Sequence, residues 1–245
     1  MSDLQAVSES ETVIEQPLQK LQKSIVFEDS RFLIINKPSG IAVHGGSGVS
    51  YGVIEGLRTL RPDAPYLELA HRLDRDTSGC LVVAKRRSAL RAFHKLQQNR
   101  QVTKCYLTLL KGHWQGGKRK VNAPLLKTEL KSGERVVCVE SEGKHAISLF
   151  TPVQKFAQAT LMRVKLITGR THQVRVHARH TGHPIAGDEK YGDNAFNREM
   201  AVMGLERLYL HAESICFTLP DVGTYDIQAP LDLSLEKLLT KLDKL

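Results

Sequence analysis

The amino-acid sequence predicts an α+β protein, built as a large, mainly antiparallel mixed β-sheet flanked by helices and loops. Strand-like segments outnumber helical ones, many are joined by short turns, and the helical segments each carry an apolar stripe that suits packing on a sheet. With 245 residues, 41% hydrophobic and 25% charged, the chain can bury a sizeable core without covalent staples. The same composition excludes collagen-like, coiled-coil and wholly disordered chains.

Taken in order, Ser24–Phe27 and Phe32–Asn36 are expected as a hairpin around Glu28–Arg31, ended by Lys37-Pro38-Ser39-Gly40. Val53–Leu60 reads as a short helix stopped ahead of Pro62. Leu81–Ala84 is a continuous apolar strand leading into a helix from Ser88, its expected N-cap, to Asn99. On that helix Leu90, Phe93 and Leu96 form the apolar stripe, and Arg87, Arg91 and Lys95 a basic ridge that could track phosphates or simply be solvated. Val102–Leu110 alternates, with Cys105, Leu107 and Leu109 on the apolar face and Lys104, Tyr106 and Thr108 pointing away from it. Leu161–Ile167 places Met162, Val164 and Leu166 inward and Arg163 and Lys165 outward. Thr171 is expected to cap a helix through Thr181, with His172, Arg175 and Arg179 on one side. Strands at Arg207–His211 and Ser214–Leu219 and a helix over Leu233–Leu242 complete the expected elements.

Lys plus Arg number 35 against 26 Asp plus Glu, a formal charge of +9. Residues 1–23 hold four acids and two lysines and read as a disordered tail, which leaves +11 on an expected single domain over residues 24–245. A basic domain suits a polyanion such as nucleic acid. No apolar run approaches the roughly 20 residues that span a bilayer, and no secretory signal opens the chain, so a cytoplasmic protein without a membrane partner is expected. Cys80, Cys105, Cys138 and Cys216 form no C-x-x-C pair, which disfavours both zinc and disulfides.

Nucleotide-binding and hydrolase motifs are missing, and His44-Gly-Gly-Ser-Gly48 lacks the lysine and spacing of a phosphate-cradling loop, so it reads as a turn. His172, His177, His180 and His183 lie close together, but no carboxylate completes an H-E-x-x-H or H-x-x-x-D pattern, so no metal is expected. The densest polar cluster is His71-Arg-Leu-Asp-Arg-Asp-Thr-Ser-Gly79, wedged between apolar segments. Asp76 there reads as a turn residue accepting a backbone N–H. Asp74, between Arg72 and Arg75, reads either as a structural ion pair or as a carboxylate held ionised for use as nucleophile or base.

That nine-residue cluster resembles the catalytic loop of the RluA-type RNA pseudouridine synthases. Asn36-Lys-Pro-Ser-Gly-Ile-Ala-Val-His44 is similar to the family's first motif, Lys104-Cys-Tyr106 to its lysine-x-tyrosine motif, and Thr168-Gly-Arg-Thr-His-Gln-Val-Arg-Val-His177 to its third. His183-Pro-Ile-Ala-Gly-Asp188 and Tyr191-Gly192 extend the similarity, in the family's order. Val43–Gly48 and Tyr51–Arg58 are most similar to the branch that modifies large-subunit (23S) ribosomal RNA. The resemblance implies the pseudouridine synthase fold and an S4-like RNA-binding domain usually found N-terminal, which this chain is expected to lack.

The activity so implied is isomerisation of uridine to pseudouridine in ribosomal RNA by a monomer that needs no cofactor or metal, with transfer RNA the alternative substrate. A non-catalytic RNA-binding or ribosome assembly factor is the alternative from another class. By the same resemblance Asp74 is the essential carboxylate, Arg175 its guanidinium partner, and Tyr106 the residue that packs on the uracil and removes the C5 proton. Val174 contacts the base from the other side, and Arg72 takes the place of the flipped nucleotide in the RNA helix. Lys104 is assigned to substrate binding, and Lys37, Arg170 and His172 are candidates for phosphate contacts.

Overall fold

The computed structural model describes residues 18–45, 51–129 and 133–244. A short helix, α1, occupies residues 18–23, followed by the hairpin β1 (Ile25–Glu28) and β2 (Phe32–Lys37). Then come α2 (Val53–Leu60), β3 (Glu68–Leu69), β4 (Ser78–Ala84), α3 (Arg87–Gln98) and β5 (Thr103–Lys111). A peripheral stretch supplies β6 (Arg119–Asn122), β7 (Leu125–Glu129) and β8 (Arg135–Val139), before β9 (Ile147–Lys155) and β10 (Ala159–Leu166). The remaining elements are α4 (Gln173–His180), α5 (Asn194–Val202), β11 (Leu210–Leu219), β12 (Gly223–Gln228) and α6 (Leu233–Lys241).

Among the described residues, ten strands make one sheet in the order β1-β2-β4-β11-β5-β10-β9-β6, with β12 on β11 and β3 on β4, while β7 and β8 pair separately. The β4–β11 pairing is parallel and the others antiparallel, which is the mixed, mainly antiparallel α+β sheet expected from the sequence. Gly79 sits at that junction with φ +108, and a Cβ there would overlap the Ala212 carbonyl. Only glycine lets the two strands approach at the end of the His71–Gly79 cluster. Two cores flank the sheet. The larger gathers Leu33, Leu81, Leu109, Met162 and Tyr209, and the smaller an aromatic set of Phe32, Phe93, Phe217 and Tyr225 under α3.

Several expectations need correction. Residues 18–23, expected to be disordered, are helical, and Leu21 is buried at 1% exposure under α2. Residues 1–17, and Gly46–Gly48 of the expected turn, lie outside the described residues. Arg86, not Ser88, is the N-cap of α3, and it makes no side-chain cap bond. Instead of two strands there is one, β11, which pairs with β4 on one edge and β5 on the other and carries a bulge between His211 and Ser214 in the β5 ladder. The face of β5 that carries Tyr106, expected to point away from the apolar side, is buried as well, since β5 lies between β11 and β10 with core on both faces. The alternation of β10 is as expected, with Met162 and Val164 buried and Arg163 and Lys165 exposed.

Candidate active site

The loop between β3 and β4, the middle of β5 and the β10–α4 connection meet at one cavity of about 330 Å³, small enough for a single nucleoside-sized ligand. It is lined by Arg72, Asp74, Lys104, Tyr106, Arg170, His172, Val174 and Arg175, so eight of the nine sequence-predicted residues converge. Lys37 does not. It is fully buried, and its Nζ donates to the carbonyls of Pro38, Ile41 and Arg75 at 2.7, 2.8 and 2.9 Å. With its ammonium turned to three carbonyls, Lys37 ties the 38–41 segment beneath the His71–Gly79 loop instead of presenting its charge at the cavity for a phosphate. Burial pushes its pKa down to about 7, against the pull of Asp76 and Asp74.

The loop itself is closed mainly by backbone. Thr77 N donates to Asp74 O at 3.1 Å, Gly40 N to Arg75 O at 3.0 Å and Ser39 Oγ to Asp76 O at 2.7 Å. The Asp76 carboxylate accepts from Arg75 Nε at 3.1 Å rather than from the expected backbone N–H, so the ion pair of Arg75 is with Asp76. On the far side of the loop, His71 stacks on Phe93 with ring centroids 6.0 Å apart, and its Nε2 accepts the Val82 N–H at 3.2 Å. The ring is therefore neutral, with its proton on Nδ1.

Asp74 faces two groups from the β10–α4 connection. Arg175 Nη1 and His172 Nε2 each lie 4.0 Å from Asp74 Oδ2, too far for direct hydrogen bonds. Arg175 makes its bidentate pair elsewhere. Its Nε and Nη2 donate to Asp188 Oδ2 and Oδ1 at 2.7 and 2.8 Å, and its guanidinium lies 5.0 Å over the Tyr191 ring. Asp188 is itself fully buried, and its Oδ1 also accepts the N–H groups of Lys190 and Tyr191 at 3.0 and 2.9 Å. Burial alone would lower the Arg175 pKa, but the Asp188 bonds outweigh it and hold the guanidinium charged. Arg175 is thus aimed by Asp188 and offers its remaining edge to Asp74.

Asp188 was not singled out from sequence, although a carboxylate after Ile185-Ala186-Gly187 signals a buried charge that must find a cation. Thr171 does not cap α4. The N-cap is His172, in a left-handed backbone conformation with φ 54, and of its expected helix side Arg179 is exposed while Arg175 is buried. Tyr106 forms the cavity floor, and burial and the nearby Asp74 charge raise its pKa well above the usual phenol value. Burial pushes Lys104 down to about 8. Arg72 and Arg170 are exposed at the rim, and Val174 is buried on α4. Both ring nitrogens of His177 are taken, by Ser148 Oγ and Ala123 O, which makes it a core residue.

His71, His177 and His211 have pKa values lowered by burial from 6.5. The unfolded chain binds protons at these sites as pH falls below about 6.5, while the folded chain resists them, so stability is lost on acidification through that window. The urea midpoint is expected to fall between pH 7.5 and 5.5. An unchanged midpoint would contradict this.

A carboxylate, a buried arginine, a tyrosine and an apolar side chain thus surround one nucleoside-sized cavity, as the motif resemblance to RNA pseudouridine synthases implies. The family model described as RNA pseudouridylate synthase matches residues 31–180, and the chain belongs to that family. It is 56% identical to ribosomal large subunit pseudouridine synthase C of Pasteurella multocida over 221 residues, covering 90% of this chain and 68% of that relative. It is 52% identical to the Escherichia coli (strain K12) protein of the same name, covering 95% of this chain and 75% of the relative. Among solved structures it is similar to human RNA Pseudouridylate Synthase Domain Containing 1, with TM-score 0.75 and 26% identity over 90% of this chain and 88% of that one. The fold also matches human RNA Pseudouridylate Synthase Domain Containing 4, with TM-score 0.77 and 23% identity over 95% of this chain and 98% of that one.

Proposed function

We propose that this chain isomerises specific uridines of large-subunit (23S) ribosomal RNA, with Asp74 as the essential carboxylate and the target nucleotide flipped into the cavity. The observation that carries the chemistry is Asp74 at the cavity beside a guanidinium that Asp188 keeps charged. The names of the two bacterial relatives support the substrate. The reaction breaks N1–C1′, turns the uracil and joins C5 to C1′, with Asp74 acting on the sugar as nucleophile or base. A stacked base hides C1′ and C5, so extrusion is required, at a cost of a few kcal/mol that is least in loops and bulges.

Tyr106 and Val174 enclose the base from two sides, and exposed Arg72 enters the gap it leaves. The net reaction moves one proton from C5 to N1. A phenol whose pKa is raised starts protonated, so Tyr106 accepts the C5 proton as its own passes on toward N1. Tyr106→Phe keeps the ring but not the hydroxyl, and single-turnover isomerisation is expected to fall by about 100-fold or more with RNA binding retained. A full rate would exclude the phenol from proton transfer.

Incubating the purified protein with unmodified 23S rRNA and with tRNA transcripts, then mapping pseudouridine, tests the substrate. Modification of defined 23S uridines is expected. Modification of tRNA alone would overturn the substrate, and binding without modification of either would favour an RNA-binding or assembly factor.

A further inference from the structure

We propose that His172 recognises the target ribose: its Nε2–H and the Asp74 carboxylate together hold the 2′-hydroxyl, a reading that rests on the uridine substrate proposed above. Two hydrogen bonds of Tyr191 bear on where the His172 proton sits. Tyr191 Oη accepts the Val137 N–H at 3.0 Å and lies 2.7 Å from His172 Nδ1. With one lone pair already engaged, the phenol satisfies both partners by donating its own proton to Nδ1. A neutral imidazole then carries its hydrogen on Nε2, the nitrogen that faces Asp74. Burial lowers the His172 pKa, with Arg175 adding to the effect and Asp74 opposing it, which agrees with a neutral ring.

The 4.0 Å between Nε2 and Asp74 Oδ2 is too long for one hydrogen bond. It fits a hydroxyl oxygen that accepts from Nε2–H and donates to the carboxylate, each at about 2.8 Å, with roughly a right angle between the two bonds. A ribose whose C1′ or C2′ is within reach of Asp74 places its 2′-oxygen there, since that oxygen is bonded to C2′. A neutral ring is a weak partner for phosphate, so His172 suits a hydroxyl better than the phosphate contact expected from sequence. His172 lines the cavity from a left-handed backbone position, φ 54, which few residues other than glycine adopt.

Once the modified uridine is mapped, two RNA fragments carrying uridine or 2′-deoxyuridine at that position serve as probes, with binding constants and tritium release from C5 as readouts. Wild-type protein is expected to bind the deoxy fragment about tenfold more weakly, in line with one hydrogen bond. His172→Asn suits the left-handed backbone but cannot reach as Nε2 does. It is expected to lose about tenfold on the ribose fragment and to stop discriminating, while His172→Gln, which restores an N–H near the same point, recovers part of both. Undiminished discrimination by His172→Asn would overturn the proposal. Failure of wild-type protein to isomerise the ribose fragment would instead overturn the uridine reading, and this one with it.

Discussion

Asp74→Asn and Asp74→Ala are expected to lower isomerisation by about a thousandfold or more, because no other carboxylate lines the cavity among the described residues. RNA binding should stay within about tenfold of wild type, since charge and phosphate contacts set most of it and the loss is confined to the bond from the target 2′-hydroxyl. Stability should also hold. The buried Arg175 is neutralised by Asp188 rather than by Asp74, whose side chain is 28% exposed, so deleting the Asp74 carboxylate strands no buried charge. Single-turnover rates, filter binding and thermal unfolding together check this. Appreciable turnover by either variant would remove Asp74 from its role.

Asp188→Ala is expected to fail in the opposite manner. It leaves the Arg175 guanidinium buried without its bidentate partner and frees the N–H groups of Lys190 and Tyr191, at a cost of about 3–5 kcal/mol. The unfolding midpoint should fall by roughly ten degrees. Activity should fall further than stability explains at a temperature where the variant is folded, because Arg175 is no longer aimed at Asp74. Arg175→Lys should lose activity with a smaller loss of stability, since an ammonium keeps the charge but not the planar two-bond geometry. An Asp188→Ala protein with wild-type midpoint and rate would refute the role assigned to Asp188.

The contrast between these two aspartates marks what was legible in the sequence. Asp74, Tyr106, Val174 and Arg175 lie in recognisable motifs, and the fold brings them to one cavity. The α+β class was legible too, because β10 alternates cleanly and Val53–Leu60 has clear boundaries. Partners distant in sequence were not. Lys37 looked like a phosphate ligand because nothing local reveals that Pro38, Ile41 and Arg75 present carbonyls to it. Alternation put Tyr106 away from the apolar face of β5 but could not show that this second face is covered too, because β5 is central in the sheet. In the β7–β8 ribbon, β7 is mostly exposed and carries little apolar pattern, whereas Val136–Val139 of β8 is a continuous apolar run that was a usable strand signal. Helix α5 was missed despite a usable signal, Asp193, whose carboxylate accepts the Phe196 N–H as N-cap.

The most direct test of the central claim is a single-nucleotide pseudouridine map of RNA from cells with and without this protein, with Asp74→Ala and wild-type rescue side by side. The account predicts sites in large-subunit ribosomal RNA that vanish without the protein and return only with the wild type. A map unchanged by its loss, or restored equally by Asp74→Ala, would contradict it.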